Sequence, residues 1–254
     1  MNKGGLCSVT FRELSVNEII KLVREADLDG IEWGGDVHVP PGDIGKAKEV
    51  ASLTKEAGLD VVSYGSYYRV GISNDISFET ILKTAVHLTA PSIRVWAGRL
   101  GSDEVDDIYR KNVVEDGQRI AELAKKYNIT IHFEYHGRTL TDTPESAVAL
   151  MKDINHTNAK LYWQPAVGEA VDKRLKSIEK VRPWLSHIHV FHWDELEKLP
   201  LSQGINEWQQ YIEFINQSKG TGIRHFLMEF VKDNNPKQFL EDAKTLKKLL
   251  KVSY

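Results

Sequence analysis

Four strand-like segments in the second half of the chain end on side chains that can hold a cation: Glu134 in ITIHFEYHG, Gln164 in LYWQP, His189 in SHIHVFHW and Glu229 in FLMEF. In a parallel strand covered on both faces, an ionisable group near the C-terminal end is costly to desolvate unless something pairs with it. Residues of ITIHFEYHG alternate, so His132, Glu134 and His136 share one face while Ile131, Phe133 and Tyr135 take the other. With the apolar set packed on helices, Glu134 points inward. The same reasoning turns Gln164, His189 and Glu229 inward. Two carboxylates, an imidazole and an amide carbonyl form an oxygen-rich ligand set for one divalent ion, Mn²⁺ by preference, with Mg²⁺, Co²⁺ or Zn²⁺ as alternatives. Open positions on such an ion can take substrate oxygens. The competing interpretation is a salt-bridged polar layer in which His189 pairs with Glu229 or Glu134. The metal reading is favoured because all four residues fall at the end of the strands where parallel barrels carry their chemistry.

Glu32, His38, Tyr64, Trp96 and His136 lie at strand ends or in the loops that follow, where a substrate is expected to bind. Each has a plainer alternative. Glu32 can pair with Arg94 inside the fold, His38 can be a solvent-exposed loop histidine, and Tyr64 and Trp96 can be core aromatics instead of flat faces for sugar C–H groups. His136 is expected to orient a substrate hydroxyl. His132 and His187 lie one inward step deeper and His192 faces the other way from His189, so these three are expected to be hydrogen-bonded structural histidines. Cys7, the single cysteine, sits in an apolar first strand and reads as a small core residue.

These side chains need a scaffold that brings successive strand ends together. Short β-rich runs at 5–10, 30–34, 60–64, 92–97, 130–135, 160–164, 187–191 and 225–230 alternate with helix-period segments. Ser15 opens SVNEIIKLVREADL with Glu18 three residues on, Thr143 precedes a helix with proline at its first position, and Asn206 is placed to cap EWQQYIEFINQS. The polar strand-end positions from Glu32 to Glu229 recur every 25 to 40 residues, one strand–helix unit per step. Eight such units predict a single-domain (β/α)8 barrel over residues 1–254. The chain is 41% apolar and 27% charged, with no apolar run long enough to span a bilayer and no secretory signal at its start, so a cytoplasmic protein is expected. Its 33 basic and 36 acidic residues form no basic stripe, which argues against nucleic acid as a partner.

The stretches LDGIEWGGDVHVPPGD, IHFEYHGRTLTDTPES, LYWQP, HIHVFHW and LMEF together resemble the xylose isomerase-like barrels, a family of sugar isomerases, ketose 3-epimerases, inosose dehydratases and endonuclease IV relatives. The resemblance implies that Glu134, Gln164, His189 and Glu229 are metal ligands, that His38 corresponds to a loop histidine facing the ligand, and that the activity is proton transfer next to a carbonyl. The sixth-strand ligand is commonly Asp in this family. Gln164 in its place lowers the charge around the ion, leaving it more electrophilic and less tightly held. Under this reading Glu134 and Glu229 flank a metal-stabilised enediolate, one removing a proton and the other returning it, as in a sugar isomerase or epimerase. The first alternative is a dehydratase or lyase in which the same intermediate expels a β-hydroxyl. The second is a catalytically inactive sugar-binding barrel. Endonuclease chemistry needs a richer ligand set and a basic surface that the chain lacks. The expected substrate is a free sugar, keto sugar or cyclitol, because no basic loop follows the last two strands, and a homo-oligomer is possible for this family.

Overall fold

Hydrophobic alternation and helix caps organise the chain unit by unit before the units close on one another. The computed structural model describes residues 2–195, 197–217 and 223–251. Ser15 Oγ accepts from the Glu18 amide while Glu18 Oε2 accepts from the Ser15 amide at 2.8 Å, a complete capping box at the start of α1 (Val16–Glu25). Thr143 caps α5 (Pro144–Ile154), which opens on Pro144. Asn206 is not a cap. A 3₁₀ turn, Leu201–Gly204, runs straight into α7 (Ile205–Asn216), so the helix has already begun when the chain reaches Asn206.

Eight parallel strands close into a barrel in chain order, β1 (Asn2–Cys7), β2 (Gly30–Gly34), β3 (Asp60–Arg69), β4 (Ser92–Trp96), β5 (Thr130–Glu134), β6 (Ala159–Trp163), β7 (Leu185–Val190) and β8 (Arg224–Met228). The remaining outer helices are α2 (Ile44–Glu56), α3 (Phe78–His87), α4 (Asp107–Lys125), α6 (Val171–Val181) and α8 (Pro236–Lys251). This is the single (β/α)8 barrel that the spacing of the units predicts. Among the described residues no helix is long and apolar enough to cross a membrane.

Two strands depart from expectation. The first ends at Cys7 because side chains replace the ladder beyond it: Ser8 Oγ accepts from the Gly34 amide at 2.9 Å and Thr10 Oγ1 donates to the Met228 carbonyl at 3.4 Å. The third runs on to Arg69 instead of stopping at Tyr64. Its register against β2 also slips, with Ile31 opposite Val61 but Glu32 opposite Ser63. An extra residue of this kind reverses which face the following side chains take. Val62 therefore packs inside the barrel with Tyr162 and Leu227, whereas Tyr64 joins the outer core.

Inside the barrel, inward-facing residues stack in polar layers. Near the C-terminal ends, Arg94 donates from Nε to Glu32 Oε1 at 2.8 Å and from Nη1 to Glu134 Oε2, and all three side chains are buried. One step deeper, His132, His187 and His225 follow one another with ring centres 5.3 and 5.2 Å apart, and Tyr162 sits against the first two. Burial holds His132 at about 3 and His225 at about 4, and it holds His187 well below the usual range, helped by its two histidine neighbours.

An imidazole kept below its unfolded value of about 6.5 stays neutral in the fold while the unfolded chain takes up a proton. That stability is complete above pH ~6.5 and is lost as pH falls toward the folded values. In metal-free protein, urea unfolding is expected to lose about 1–2 kcal/mol per buried histidine between pH 6.5 and about 5. Stability that stays flat across this window would contradict the buried neutral layer. Replacing Arg94 by Leu leaves Glu32 and Glu134 without their common cation, and the same unfolding measurement at neutral pH is expected to show a loss of about 3–5 kcal/mol.

Candidate metal centre

Three different strands bring oxygen atoms onto one nitrogen of the side chain that β7 supplies. His189 Nδ1 lies 3.1 Å from Gln164 Oε1, 3.3 Å from Glu229 Oε2 and 3.5 Å from Glu134 Oε1. Ligand atoms of Glu134, His189 and Glu229 all fall within 4.8 Å of one another. On the other side of the ring, His189 Nε2 faces Glu32 Oε1 at 3.6 Å. Glu32 Oε1 lies beyond hydrogen-bond reach of Nε2, and it is Nδ1, turned to the three oxygens, that is placed to meet an ion once the imidazole is neutral.

The donor set fits a small divalent cation on this structure's own terms. Among the described residues Glu229 Oε2 is buried and makes no hydrogen bond, with His189 Nδ1 facing it at 3.3 Å, and a buried carboxylate oxygen held so loosely is costly unless a cation or donor meets it. Gln164 adds a neutral oxygen from the half-exposed end of β6. A second group, Cys7, Glu32 and His189, is as compact and shares His189 with the first. Burial, with Glu32 and Glu229 beside it, pushes the Cys7 thiol far up, so the sulfur is a proton carrier and not a thiolate ligand. Its Sγ lies 3.3 Å from Glu32 Oε1, which makes Cys7 more than the small core residue its sequence context implies.

The two carboxylates of the centre are unlike. Burial alone raises Glu134, but Arg94 and then His189 and His136 overcome it and hold the group at about 2. Its Oε2 also accepts from Trp96 Nε1 at 2.5 Å. Glu229 is displaced upward, by burial first and with Glu134 and Glu32 adding to it against His189. His189 is pushed well up because Glu229, Cys7, Glu134 and Glu32 outweigh its burial.

Trp96 and His136 lie at this centre. The indole of Trp96 bonds Glu134, and the half-exposed His136 ring lies 5.2 Å from it. Glu32, His38 and Tyr64 are buried and engaged within the protein. Glu32 is wholly buried and engaged with Arg94, the alternative its sequence context leaves open. His38 is also buried, with Nε2 on the Leu14 carbonyl at 3.0 Å and its ring edge-on to Trp33. Tyr64 donates to the Val39 carbonyl at 2.7 Å, on the outer face to which the register slip turns it. His132 and His187 are the structural histidines their depth suggests.

Sequence reasoning named Arg94 only as a partner for Glu32 and missed its bond to Glu134 on the neighbouring strand. It also missed Tyr67 and Arg69, which lie in the part of β3 beyond its expected end. Tyr67 holds a left-handed backbone (φ 58°), presents its edge to Trp96 at 5.2 Å and accepts from Arg12 at 2.9 Å, while Arg69 lies over Trp96 at 4.2 Å.

Comparison with known proteins agrees with this architecture. A 3-dehydroshikimate dehydratase of Bacillus anthracis is 26% identical over 204 residues, 74% of this chain and 70% of that protein. The crystal structure of the probable 3-DHS dehydratase AsbF, involved in petrobactin synthesis in Bacillus anthracis, superposes with a TM-score of 0.79 at 22% identity, over 97% of this chain and 99% of that one. D-psicose 3-epimerase, crystallised in the presence of D-fructose, gives a TM-score of 0.73 at 17% identity over 99% of both chains. These two superpositions speak for the fold alone. The family profile described as xylose isomerase-like TIM barrel matches residues 20–249, and the chain belongs to that family.

Proposed function

We propose that this protein is a divalent-metal-dependent dehydratase that removes water from a cyclic β-hydroxy ketone of the 3-dehydroshikimate class. The observation that carries the choice of reaction is the inequality of the two glutamates. A two-base epimerase or isomerase needs both carboxylates free to exchange protons with substrate. Here Glu134 has Oε2 fastened by hydrogen bonds from Arg94 and Trp96, whereas Glu229 Oε2 makes no hydrogen bond among the described residues and shares His189 Nδ1 with Glu134 Oε1, at 3.3 and 3.5 Å. Elimination needs only one proton carrier, because the proton taken from carbon can leave with the hydroxyl. The dehydratase relative supports the substrate class.

Glu134, Gln164, His189 and Glu229 hold the ion, with Mn²⁺ the preferred occupant. When bound, it polarises the ketone oxygen and so acidifies the neighbouring C–H. His136 takes that proton. Its Nδ1 lies 2.6 Å from the Gly137 carbonyl, which can only accept, so Nδ1 carries the hydrogen and Nε2 presents the lone pair. As the C–H pair becomes the new C=C bond, the β-carbon–oxygen bond breaks and its electrons leave on oxygen. His136 hands its proton to that oxygen, water departs, and the imidazole returns to its starting state. Trp96, with Arg69 over its ring and His136 beside it, forms part of the wall next to this histidine.

Purified protein with Mn²⁺ is expected to convert 3-dehydroshikimate to an aromatic diol, followed by ultraviolet absorbance, with chelator abolishing turnover. His136→Gln is expected to lower kcat by about 10²–10⁴-fold while calorimetric Mn²⁺ affinity stays near wild type. Glu229→Gln, in contrast, weakens Mn²⁺ binding itself. Solvent deuterium entering D-fructose or D-psicose, with no water lost from 3-dehydroshikimate, would overturn the dehydratase reading in favour of an epimerase.

A further inference from the structure

We propose that Cys7 is a positioning residue for the metal centre: its thiol shares one hydrogen between Glu32 and Glu229 and so holds Glu229 in the orientation that meets an ion. The proposal rests on the reading of Glu229 as a metal ligand and is independent of which reaction follows. Cys7 is the last residue of β1, with β2 on one side and β8 on the other. Leu6 stands opposite Met228 and Cys7 opposite Glu32, so Cys7 lies beside Glu32 and next to the residue that follows Met228, which is Glu229. Its Sγ is 3.3 Å from Glu32 Oε1 and 4.0 Å from Glu229 Oε1, and all three side chains are buried. A carboxylate only accepts, so the thiol is the donor in both contacts.

Glu229 has little else to aim it. Its amide donates to the Val190 carbonyl at 2.9 Å, which fixes the backbone against β7 but leaves the side chain its own rotations. The next residue, Phe230, turns to a left-handed backbone (φ 57°) and packs its ring on Phe191 and Trp193, with ring centres 5.5 and 5.0 Å away. The carboxylate, 6% exposed, faces His189 Nδ1 at 3.3 Å through Oε2, which takes no hydrogen bond. Among the described residues the Cys7 thiol is the hydrogen-bond donor to this side chain, at Oε1. Glu134, in contrast, is fastened by an arginine and an indole. A glutamate left free to turn loses more conformational freedom on meeting an ion than one already aimed at it.

Glu32 supplies the fixed point. Arg94 Nε already donates to Glu32 Oε1 at 2.8 Å, so this acid is satisfied without the thiol, and the thiol carries its constraint across β1 to Glu229. A weak donor suits the position: it steadies Oε1 and withdraws little charge from a carboxylate that is to hold a cation. An apolar residue of similar size would fill the same space and give Glu229 no donor. Filling space and donating a hydrogen therefore make opposite demands on what can replace Cys7.

The test is calorimetric titration of wild type, Cys7→Val and Cys7→Ser with Mn²⁺. Valine fills the volume without a donor, whereas serine is polar and keeps one. Mn²⁺ binding is expected to weaken about tenfold or more in Cys7→Val, with Cys7→Ser closer to wild type than to the valine variant. Cys7→Ala, which has no donor and adds no bulk, provides the same reading if valine disturbs folding. Wild-type affinity in both the valine and alanine variants overturns the proposal, as does a loss in Cys7→Ser equal to that in Cys7→Val. The reverse order, valine at wild-type affinity and serine weakened, is what core packing alone gives and overturns it too. Wild type that takes up no Mn²⁺ overturns the metal reading and this proposal with it. Mn²⁺ binding that depends on the Cys7 donor, without dehydration of 3-dehydroshikimate, removes the dehydratase reading and supports the role of Cys7.

Discussion

One buried guanidinium organises the upper barrel. Arg94 stands between Glu32 and Glu134, and each carboxylate then acts on the metal centre from a different side. Glu134, clamped through Oε2, keeps Oε1 directed at His189 Nδ1, while Glu32 lies 3.6 Å from Nε2 on the other side of the ring. A buried arginine bridging two acids is poor evidence of stability, because desolvation opposes much of the Coulombic attraction. Its value lies in geometry. Without it, Glu134 is a third mobile acid beside Glu32 and Glu229, and mutual repulsion would leave no defined orientation for any of them.

The extension of β3 does the corresponding work at the rim. Beyond the slip opposite Glu32, the strand carries its chain far enough for Tyr67 and Arg69 to reach Trp96 from two directions, edge and face. Trp96 in turn holds Glu134. The orientation of Glu134 thus depends, through one indole, on packing several residues away in β3.

Periodicity made the barrel legible, because both strands and helices repeat patterns that a sequence displays. The ligand cluster was legible for a related reason: inward parity and position near a strand end follow from alternation alone, and Gln164, Glu134 and Glu229 all reach His189. Tyr64 shows where this reasoning stops. One inserted residue reverses parity, and nothing in VVSYGSYYR marks the insertion. The burial of His38 and Glu32 was not legible for another reason, because exposure is a property of the packed molecule. A loop histidine can turn inward onto a carbonyl as His38 does onto Leu14, and an inward glutamate can be taken by an arginine two strands away.

A metal cradle shared across this fold leaves open which reaction follows proton removal, so the choice must come from side chains around it. In this chain those side chains break the symmetry of the cradle. Arg94 and Trp96 fasten Oε2 of Glu134, Glu229 Oε2 makes no hydrogen bond among the described residues, and the Gly137 carbonyl holds Nδ1 of His136. The two acids around His189 are thus held by different partners, and a reaction that needs them as interchangeable proton carriers is poorly matched to that geometry.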